Sequence, residues 1–252
     1  MKLGWRGFVL PAALIVLAEI GARAGGPSDS VAPPSEVALS FIEALRDGSL
    51  LIATRDTLAC AFGGLAIGGA VGLALGIAFG ALPALNRLME VTIELVRPIP
   101  SVALVPVALV ALGFGYRLEI AIVAFACTWP VLLLTRAAVG GVEPRLIEVA
   151  QALRLSFAAR VAKIIIPAAL PRIFVAFRLA AGVSLIVAVT VEIAVNPLGL
   201  GAGIMTAGQA LRPELMLAYL LWIGIVGFAL NGALVFAQQR LFGRAALVGD
   251  IP

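Results

Sequence analysis

Histidine is absent from this chain of 252 residues, which also contains only two cysteines. The lack of histidine excludes His-based catalysis and Cys/His zinc sites. Cys60 and Cys127 both lie in apolar runs, so they offer no disulfide framework, and we interpret them as packing residues. We therefore expect neither catalytic residues nor a bound metal in this chain.

Charged residues are scarce as well. They make up 13% of the chain against 62% hydrophobic residues, whereas a soluble domain has about 25% charged and about 45–50% apolar residues. A mean hydropathy of +1.11 leaves too little polar surface for a water-soluble globule. The 18 basic and 14 acidic residues lie between apolar runs rather than on one face. This distribution excludes a nucleic-acid surface and indicates a membrane protein.

Six apolar runs are long enough to cross a bilayer, which takes roughly 20 residues per helix. They cover residues 7–22, 57–82, 98–115, 120–139, 173–195 and 215–239. The third and fourth runs are separated only by residues 116–119, which we interpret as a tight hairpin turn. The sequence therefore predicts an all-α membrane protein with six transmembrane helices.

The first run has a second interpretation as a secretory signal, because Lys2 and Arg6 precede its apolar core and a small-x-small pattern follows it at residues 22–24. Glu19 is unusual inside such a signal, so we favour a membrane helix. Residues 35–47 then alternate apolar and charged side chains at helical spacing and predict an amphipathic helix at the outer interface.

Basic residues are distributed unevenly between the two sides of the six predicted crossings. Five lie on one side, namely Arg23, Arg46, Arg55, Arg117 and Arg212, and all others lie on the opposite side. Because cytoplasmic loops carry the excess of Lys and Arg, this count predicts that both termini and the loop 140–172 are cytoplasmic.

The loop 140–172 contains two short amphipathic helices. Glu143-Pro144 is a typical helix start, and one face of the helix that follows is apolar: Leu146, Ile147, Ala150 and Leu153. Ser156 is a suitable N-cap for the second helix, which we expect Pro167 to end. Such helices either lie in the headgroup plane or dock on a soluble partner, and periodicity alone leaves both possibilities open.

The order of residues in this loop favours docking. The string 148–154, which reads E-V-A-Q-A-L-R, is followed ten residues after Arg154 by I-I-I-P at residues 164–167. The pattern resembles the EAA loop of binding-protein-dependent ABC importer permeases, which reads E-A-A, three residues, G, nine residues, I-x-L-P. Four residues match it, Glu148, Ala150, Ile164 and Pro167, and three depart from it, Val149 for Ala, Arg154 for Gly and Ile166 for Leu.

Three further strings, R-P-I-P at residues 97–100, G-F-G at 113–115 and G-L-G at 199–201, resemble the nitrate, sulfonate and taurine branch of these permeases. The resemblance implies a type I importer fold, with residues 1–56 as an N-terminal helix plus outer segment, 57–241 as the core permease domain and 242–252 as a cytoplasmic tail. It also implies a location in the bacterial inner membrane and a small anionic solute of the nitrate, sulfonate or taurine type.

The same resemblance implies the partners. Two permease subunits, here expected to be identical, pair around the solute path; a periplasmic or lipid-anchored protein delivers the solute; and two cytoplasmic ATPase subunits each receive one EAA loop. The coupling residues would be Glu148, Ala150, Leu153, Arg154, Ile164 and Pro167. Ala150 and Leu153 are expected to be exposed and to fill an ATPase groove, with Glu148 or Arg154 at its rim.

ATP and its magnesium ion belong on the partner rather than on this chain. A phosphate-binding loop needs the sequence G-x-x-x-x-G-K-[ST]. The chain has two lysines, Lys2 and Lys163, and neither follows a glycine. We therefore interpret the chain as a transport component that is not an enzyme.

Five glycines repeat at four-residue spacing in the second predicted span: Gly64, Gly68, Gly72, Gly76 and Gly80. Small residues at this spacing let another helix approach closely. We favour helix packing within the chain, and a dimer-facing or path-lining stripe is the alternative.

Glu192 is a carboxylate inside an apolar run, which is costly unless the side chain meets a cavity or a partner. It belongs either to a gate or to a structural hydrogen bond with a backbone N–H freed where Asn196-Pro197 breaks the helix. No Lys or Arg is predicted near the centre of a span, so an anion would meet hydroxyl, amide and helix-end groups. The candidates for the solute path are Glu192, Asn196, Ser101, Thr128, Ser184 and Thr190.

Two other classes of membrane protein fit less well. An ion-coupled secondary transporter normally has ionisable groups at the midplane, where only Glu192 and Glu19 are available, and an EAA-like loop would have no purpose in it. A membrane-embedded enzyme would need a cluster of His, Asp or Glu at one membrane face, which the sequence does not suggest.

Overall fold

Helices make up nearly all of the regular structure in the computed structural model, which describes residues 6–24 and 31–243. No strand occurs in these two ranges, so the expected all-α class is confirmed. The tail predicted at residues 242–252 lies outside the described residues from residue 244 onward. The helices are α1 (Arg6–Ala24), α2 (Pro34–Arg46), α3 (Ser49–Ala81), α4 (Pro83–Val96), α5 (Val105–Leu112), α6 (Tyr116–Gly140), α7 (Pro144–Ala152), α8 (Phe157–Arg160), α9 (Ile166–Ala194), α10 (Leu200–Gln209) and α11 (Pro213–Phe242).

Four helical stretches are long and apolar enough to cross a membrane: α3, α6, the continuous stretch Phe157–Ala194 and α11. A fifth span is formed if α4 and the bent segment after it, Ser101–Leu112, are counted together. The first predicted run forms α1, whose Glu19 carboxylate accepts the N–H of Ser35 at 3.0 Å and so ties α1 to the start of α2. The structure thus supports four or five spans, and six remains a prediction.

The third predicted span, residues 98–115, is not a single helix. A 3₁₀ turn, Ser101–Leu104, precedes the eight-residue α5, and the chain bends by 77° between α4 and this segment. Pro98 and Pro100 cause the break, because proline donates no backbone hydrogen bond and disfavours helical geometry in the residue before it. At 1.5 Å per residue, α5 is only about 12 Å long and cannot cross a bilayer without α4.

The hairpin turn expected at residues 116–119 is also absent. Gly113 and Gly115 turn the chain, with φ values of +73° and +106° that glycine adopts without strain. Residues 116–119 then form the first turn of α6, and Glu119 is buried there. The prediction was wrong because hydropathy ends a predicted span where charged residues begin, even when these residues continue the same helix.

Helices α3 and α6 run parallel and touch along their length, because the glycine stripe removes the side chains between them. A methyl group on Gly72 would lie 2.6 Å from the Thr128 carbonyl oxygen and 3.0 Å from the Leu132 nitrogen. One on Gly68 would overlap the backbone of Ala124. Packing of the stripe within the chain is therefore confirmed.

Helix α9 completes the centre of the bundle and runs antiparallel to α6. The Cys127 thiol of α6 donates to the Ala180 carbonyl of α9 at 3.5 Å. Cys127 and Cys60 are both buried and free, which confirms their interpretation as packing residues. The surrounding core is aliphatic and includes Leu118, Ile122, Val123, Val131, Ala188 and Val191.

The predicted amphipathic helix at residues 35–47 is α2, which covers the first turns of α3 and α11. Phe41 packs against the Trp222 ring at 5.7 Å between centroids, and the Trp222 indole donates to the Thr54 hydroxyl at 2.7 Å. We call this end of the bundle, where α3 and α11 begin and α9 ends, the α10 end. The opposite end, which holds α7 and α8, is the loop end.

Candidate functional site

At the loop end, α7 begins at the predicted Glu143-Pro144 start. Pro144 occupies its first turn. At its end, the Leu155 N–H donates to the Ala150 carbonyl at 3.0 Å and the Arg154 N–H to the Gln151 carbonyl at 2.9 Å. This pair of bonds is the Schellman motif, whose penultimate position needs a positive φ and usually holds glycine. Arg154 occupies it with a φ of +49°, at the position where the EAA signature has glycine.

The apolar residues of α7 lie on two faces rather than one. Ala150 is fully buried, and Ile147 packs against the buried cluster around Ile165, so these two attach the helix to the bundle. The expectation that Ala150 is exposed was therefore wrong. The outward face consists of Leu146, Val149 and Leu153, whose exposed fractions are 37%, 50% and 64%. We call these three residues the loop face.

The second loop helix starts as predicted but does not end at Pro167. The Ser156 hydroxyl accepts the Ala159 N–H at 3.3 Å, which confirms the N-cap. A π-turn, Val161–Ile165, then widens the helix, and the Ile166 N–H donates to the Val161 carbonyl. Pro167, which has no backbone N–H to donate, follows this wider turn directly, and the helix continues through it to Ala194. Ile164 is half-buried and Pro167 exposed.

At the α10 end, two side chains from other helices accept the first backbone N–H groups of α10. The Glu192 carboxylate accepts the Gly201 N–H at 2.8 Å, and the Thr57 hydroxyl accepts the Leu200 N–H at 2.9 Å. These groups have no partner within a helix. A methyl group on Gly199 would overlap the Glu192 carboxylate, so glycine is required for this close approach. The structural hydrogen bond considered for Glu192 is therefore present.

Glu119 and Asn196 lie in the same cluster. The Asn196 amide donates to the Glu119 carboxylate, and Glu119, Glu192 and Asn196 are exposed by only 1–2%. Glu119 was not among the predicted site residues, because residues 116–119 were assigned to a turn. Its spacing to Ile122 and Val123, three and four residues along α6, is the signal that places it on the buried face. We call Glu119, Glu192 and Asn196 the carboxyl cluster.

A groove of about 490 Å³ opens beside the carboxyl cluster, between α3, α10 and α11. Gly199 lines both the groove and the cluster. The charged residues in its wall are Asp56 and Arg212. Asp56 is itself satisfied, because its carboxylate accepts the Tyr116 hydroxyl at 2.9 Å and pairs with Arg55. Ser49, which also lines the groove, donates its backbone N–H to Asp47 outside the spans. This hydrogen bond holds the pKa of the Asp47 carboxyl below its usual value.

The structure places the other candidates for the solute path elsewhere. Thr128, Ser184 and Thr190 donate their hydroxyls to carbonyls of their own helices, at 2.8, 2.9 and 2.7 Å. Ser101 is half-buried in the 3₁₀ turn. Of the six candidates, Glu192 and Asn196 are the two that the structure brings into one cluster.

Comparison with known proteins identifies the family. The model of the binding-protein-dependent transport system inner membrane component family matches residues 68–247. The chain belongs to this family. The permease is 29% identical over 248 residues to the putative aliphatic sulfonates transport permease protein SsuC of Bacillus subtilis (strain 168), covering 98% of this chain and 88% of the relative. It is 34% identical over 170 residues to the taurine transport system permease protein TauC of Escherichia coli (strain K12), a match that covers 68% of this chain and 62% of the relative.

The fold has a counterpart among solved structures. A chain of the inward-facing methionine ABC transporter MetNI superposes on the permease with a TM-score of 0.68 and 22% identity, covering 78% of this chain and 95% of that one. Among sequence relatives, the nitrate import permease protein NrtB of Synechocystis sp. (strain ATCC 27184 / PCC 6803 / Kazusa) is 29% identical over 193 residues. The match covers 76% of this chain and 69% of the relative. The expected nitrate, sulfonate and taurine branch is thus confirmed.

Arg154→Gly should stabilise the permease by about 1 kcal/mol, because glycine adopts the left-handed conformation without the clash that a side chain causes. Thermal unfolding of the purified protein measures the effect. Arg145→Gly is the matched control, since Arg145 lies inside α7 with ordinary helical geometry and glycine there should lower stability. Equal effects of the two substitutions would contradict the role assigned to φ.

Glu192→Gln should leave the fold intact, whereas Glu192→Leu should destabilise it. Glutamine retains an oxygen that accepts the Gly201 N–H, while leucine leaves that N–H buried without a partner, at a cost of about 1–3 kcal/mol. The yield of monodisperse protein and its melting temperature report the difference. If the leucine variant melts at the same temperature as the glutamine variant, the cap on α10 does not contribute to the stability of the fold.

Proposed function

We propose that this permease is the membrane-spanning subunit of an ATP-driven importer for a small anionic solute. In this proposal two copies pair around the path, an extracytoplasmic binding protein delivers the solute, and two ATPase subunits bind the loop ends from the cytoplasm. Both termini of the permease are then cytoplasmic. The solute class is inferred from relatives named for sulfonates, taurine, nitrate and bicarbonate.

The observation that carries the proposal is the loop face. Three large apolar side chains, Leu146, Val149 and Leu153, project from a helix outside the predicted spans, at the position of the EAA-like string. Exposed apolar groups at helical spacing are typical of a helix that docks into a groove of a partner. The ATPase is the expected partner, because this chain lacks a phosphate-binding sequence.

We propose that the helix Phe157–Ala194 transmits motion from the loop face to the groove beside the carboxyl cluster. The helix Phe157–Ala194 has 38 residues, which corresponds to about 57 Å. It starts next to α7 at the loop end and reaches Glu192, which holds the first turn of α10 at the groove. Because Ile147 of α7 packs against the cluster around Ile165 of this helix, a displacement of the loop face by the ATPase would move the helix and with it the groove.

Reconstitution of the permease with a candidate ATPase and a candidate binding protein from the same organism tests the proposal. We expect uptake of a labelled sulfonate, nitrate or bicarbonate that requires both partners and ATP. An ATPase variant that binds but does not hydrolyse ATP is the control. Uptake by the permease alone, driven by an ion gradient, would instead establish the ion-coupled secondary transporter.

A further inference from the structure

Three oxygen atoms of the carboxyl cluster are buried without a hydrogen-bond donor: Glu119 Oε1, Glu192 Oε1 and Asn196 Oδ1. The other carboxylate oxygens are satisfied, Glu119 Oε2 by the Asn196 amide and Glu192 Oε2 by the Gly201 N–H. The two carboxyl groups lie within reach of each other. The Cys60 thiol lies beside Glu119 and the Thr57 hydroxyl beside Glu192, but neither forms a hydrogen bond to an Oε1 atom. The two Oε1 atoms and Asn196 Oδ1 are therefore without a donor.

No positive charge compensates the two carboxylates in the part of the chain that the structure describes. The ion pairs found there join Arg23 to Glu19, Arg55 to Asp56, Arg145 to Glu143 and Arg212 to Glu214. The neighbouring titratable groups are Asp56 and Cys60 of α3. Tyr116 of α6 lies one step further out and donates its hydroxyl to Asp56. Helix α10 contributes only backbone N–H groups, because it has no titratable side chain.

Two adjacent carboxylates buried in this way cannot both stay ionised at low cost. Each ion loses several kcal/mol of hydration in a low-dielectric interior, and like charges at one site repel. A single proton removes both penalties at once. Bound between the two carboxyl groups, it is donated by one and accepted by the other, so that one hydrogen serves both and leaves a net charge of −1.

We propose that Glu119 and Glu192 form a proton-binding site that holds one shared proton and thereby fixes the start of α10. The proton is taken up from water as H⁺ by a carboxylate and is released to water in the reverse step, with no other bond changed. Without it, repulsion between the carboxylates draws Glu192 away from the Gly201 N–H. The site therefore links protonation to the position of a helix that lines the groove. This inference does not depend on the identity of the solute.

Glutamine variants provide a test with a distinctive pattern. In Glu119→Gln, the amide nitrogen donates to Glu192 Oε1 and the amide oxygen accepts from Asn196. In Glu192→Gln, the amide nitrogen donates to Glu119 Oε1 and the amide oxygen accepts from Gly201. In the double variant, two amide nitrogens face each other as donors. We expect each single variant to melt at or above the wild-type temperature and the double variant to melt below both.

The pH dependence of the melting temperature should separate wild type from the single variants. A carboxyl that is protonated in the folded protein and ionised in the unfolded chain loses its stabilising effect as the pH rises. The wild-type melting temperature should therefore fall from neutral to alkaline pH, and that of each single variant should fall less. Glu214→Gln is the matched control, because Glu214 pairs with Arg212 outside the cluster, and it should retain the wild-type slope.

Infrared spectroscopy of the purified permease observes the proton directly. We expect a C=O stretch of a protonated carboxylic acid in wild type and in Glu214→Gln, and its loss in either single cluster variant. Absence of this band from wild type overturns the proposal. So does a double glutamine variant that is the most stable of the set, which would indicate two unshared carboxylates. Stabilisation of wild type by added Na⁺, lost in the single variants, would assign the site to a cation instead.

Discussion

Replacing Gly72 with leucine should remove most of the folded permease from the membrane. Even the first carbon of the new side chain would lie 2.6 Å from the Thr128 carbonyl oxygen, and the clashing atoms include the backbone of α6. A backbone cannot rotate away as a side chain can, so α3 and α6 must separate. Overpacking typically costs about 1–3 kcal/mol, and we expect the upper end of this range or more, because leucine adds four carbons.

Gly232→Leu is the matched control for this substitution. Gly232 lies within α11, and a methyl group there would have no atom within 4 Å. The helix propensity gained by replacing glycine is the same at both positions, so the difference isolates the contact between α3 and α6. Fluorescence-detected gel filtration of membrane extracts measures folded protein, and equal peaks for the two variants would disprove close packing at Gly72.

The parts of the fold that depend on local patterns could be predicted from the sequence. The four-residue spacing of glycines in α3 predicts close packing against another helix, and α6 is that helix. The start of α7 at Pro144 and the cap at Ser156 are set by residues within one turn of each helix end. The two helix ends depend on nearest neighbours along the chain, and the glycine stripe is a spacing within one helix, so a sequence displays all three directly.

Features that depend on tertiary contacts could not be predicted in the same way. Periodicity shows that Ala150 and Leu153 are both apolar, but contacts with the cluster around Ile165 decide which face of α7 is buried. Whether Pro167 ends a helix depends on a π-turn that local propensity does not indicate. The sequence assigns Glu119 to a turn, because it does not show that α9 and the segment after it bring Glu192 and Asn196 beside it.

The corrected orientation of α7 changes how the coupling proposal should be tested. Ala150→Asp places a charge in a fully buried position, so it should detach α7 from the bundle and cannot report on the ATPase alone. Leu153 is the most exposed residue of the loop face. It can be changed without disturbing the packing of the permease itself.

Leu153→Asp should abolish transport and solute-stimulated ATP hydrolysis while the permease remains folded in the membrane. Loss of a buried interface anchor costs about 2 kcal/mol or more, which weakens binding by about thirtyfold, and the carboxylate adds a desolvation cost. Co-purification of the ATPase with the permease measures the loss. Ala152→Asp is the matched control, since Ala152 is exposed next to the loop face without belonging to it, and it should retain most of the ATPase.

Cross-linking decides whether the loop face is the contact itself. In a background in which Cys60 and Cys127 are replaced by alanine, Leu153→Cys should form a cross-link to the ATPase, because its side chain points away from the bundle. Ala150→Cys should form none, because a fully buried thiol has no access to a partner. Leu88 of α4 is also exposed. A strong cross-link from Leu88→Cys, with none from position 153, would show that α4 couples the permease to the ATPase and that α7 only stabilises the loop end.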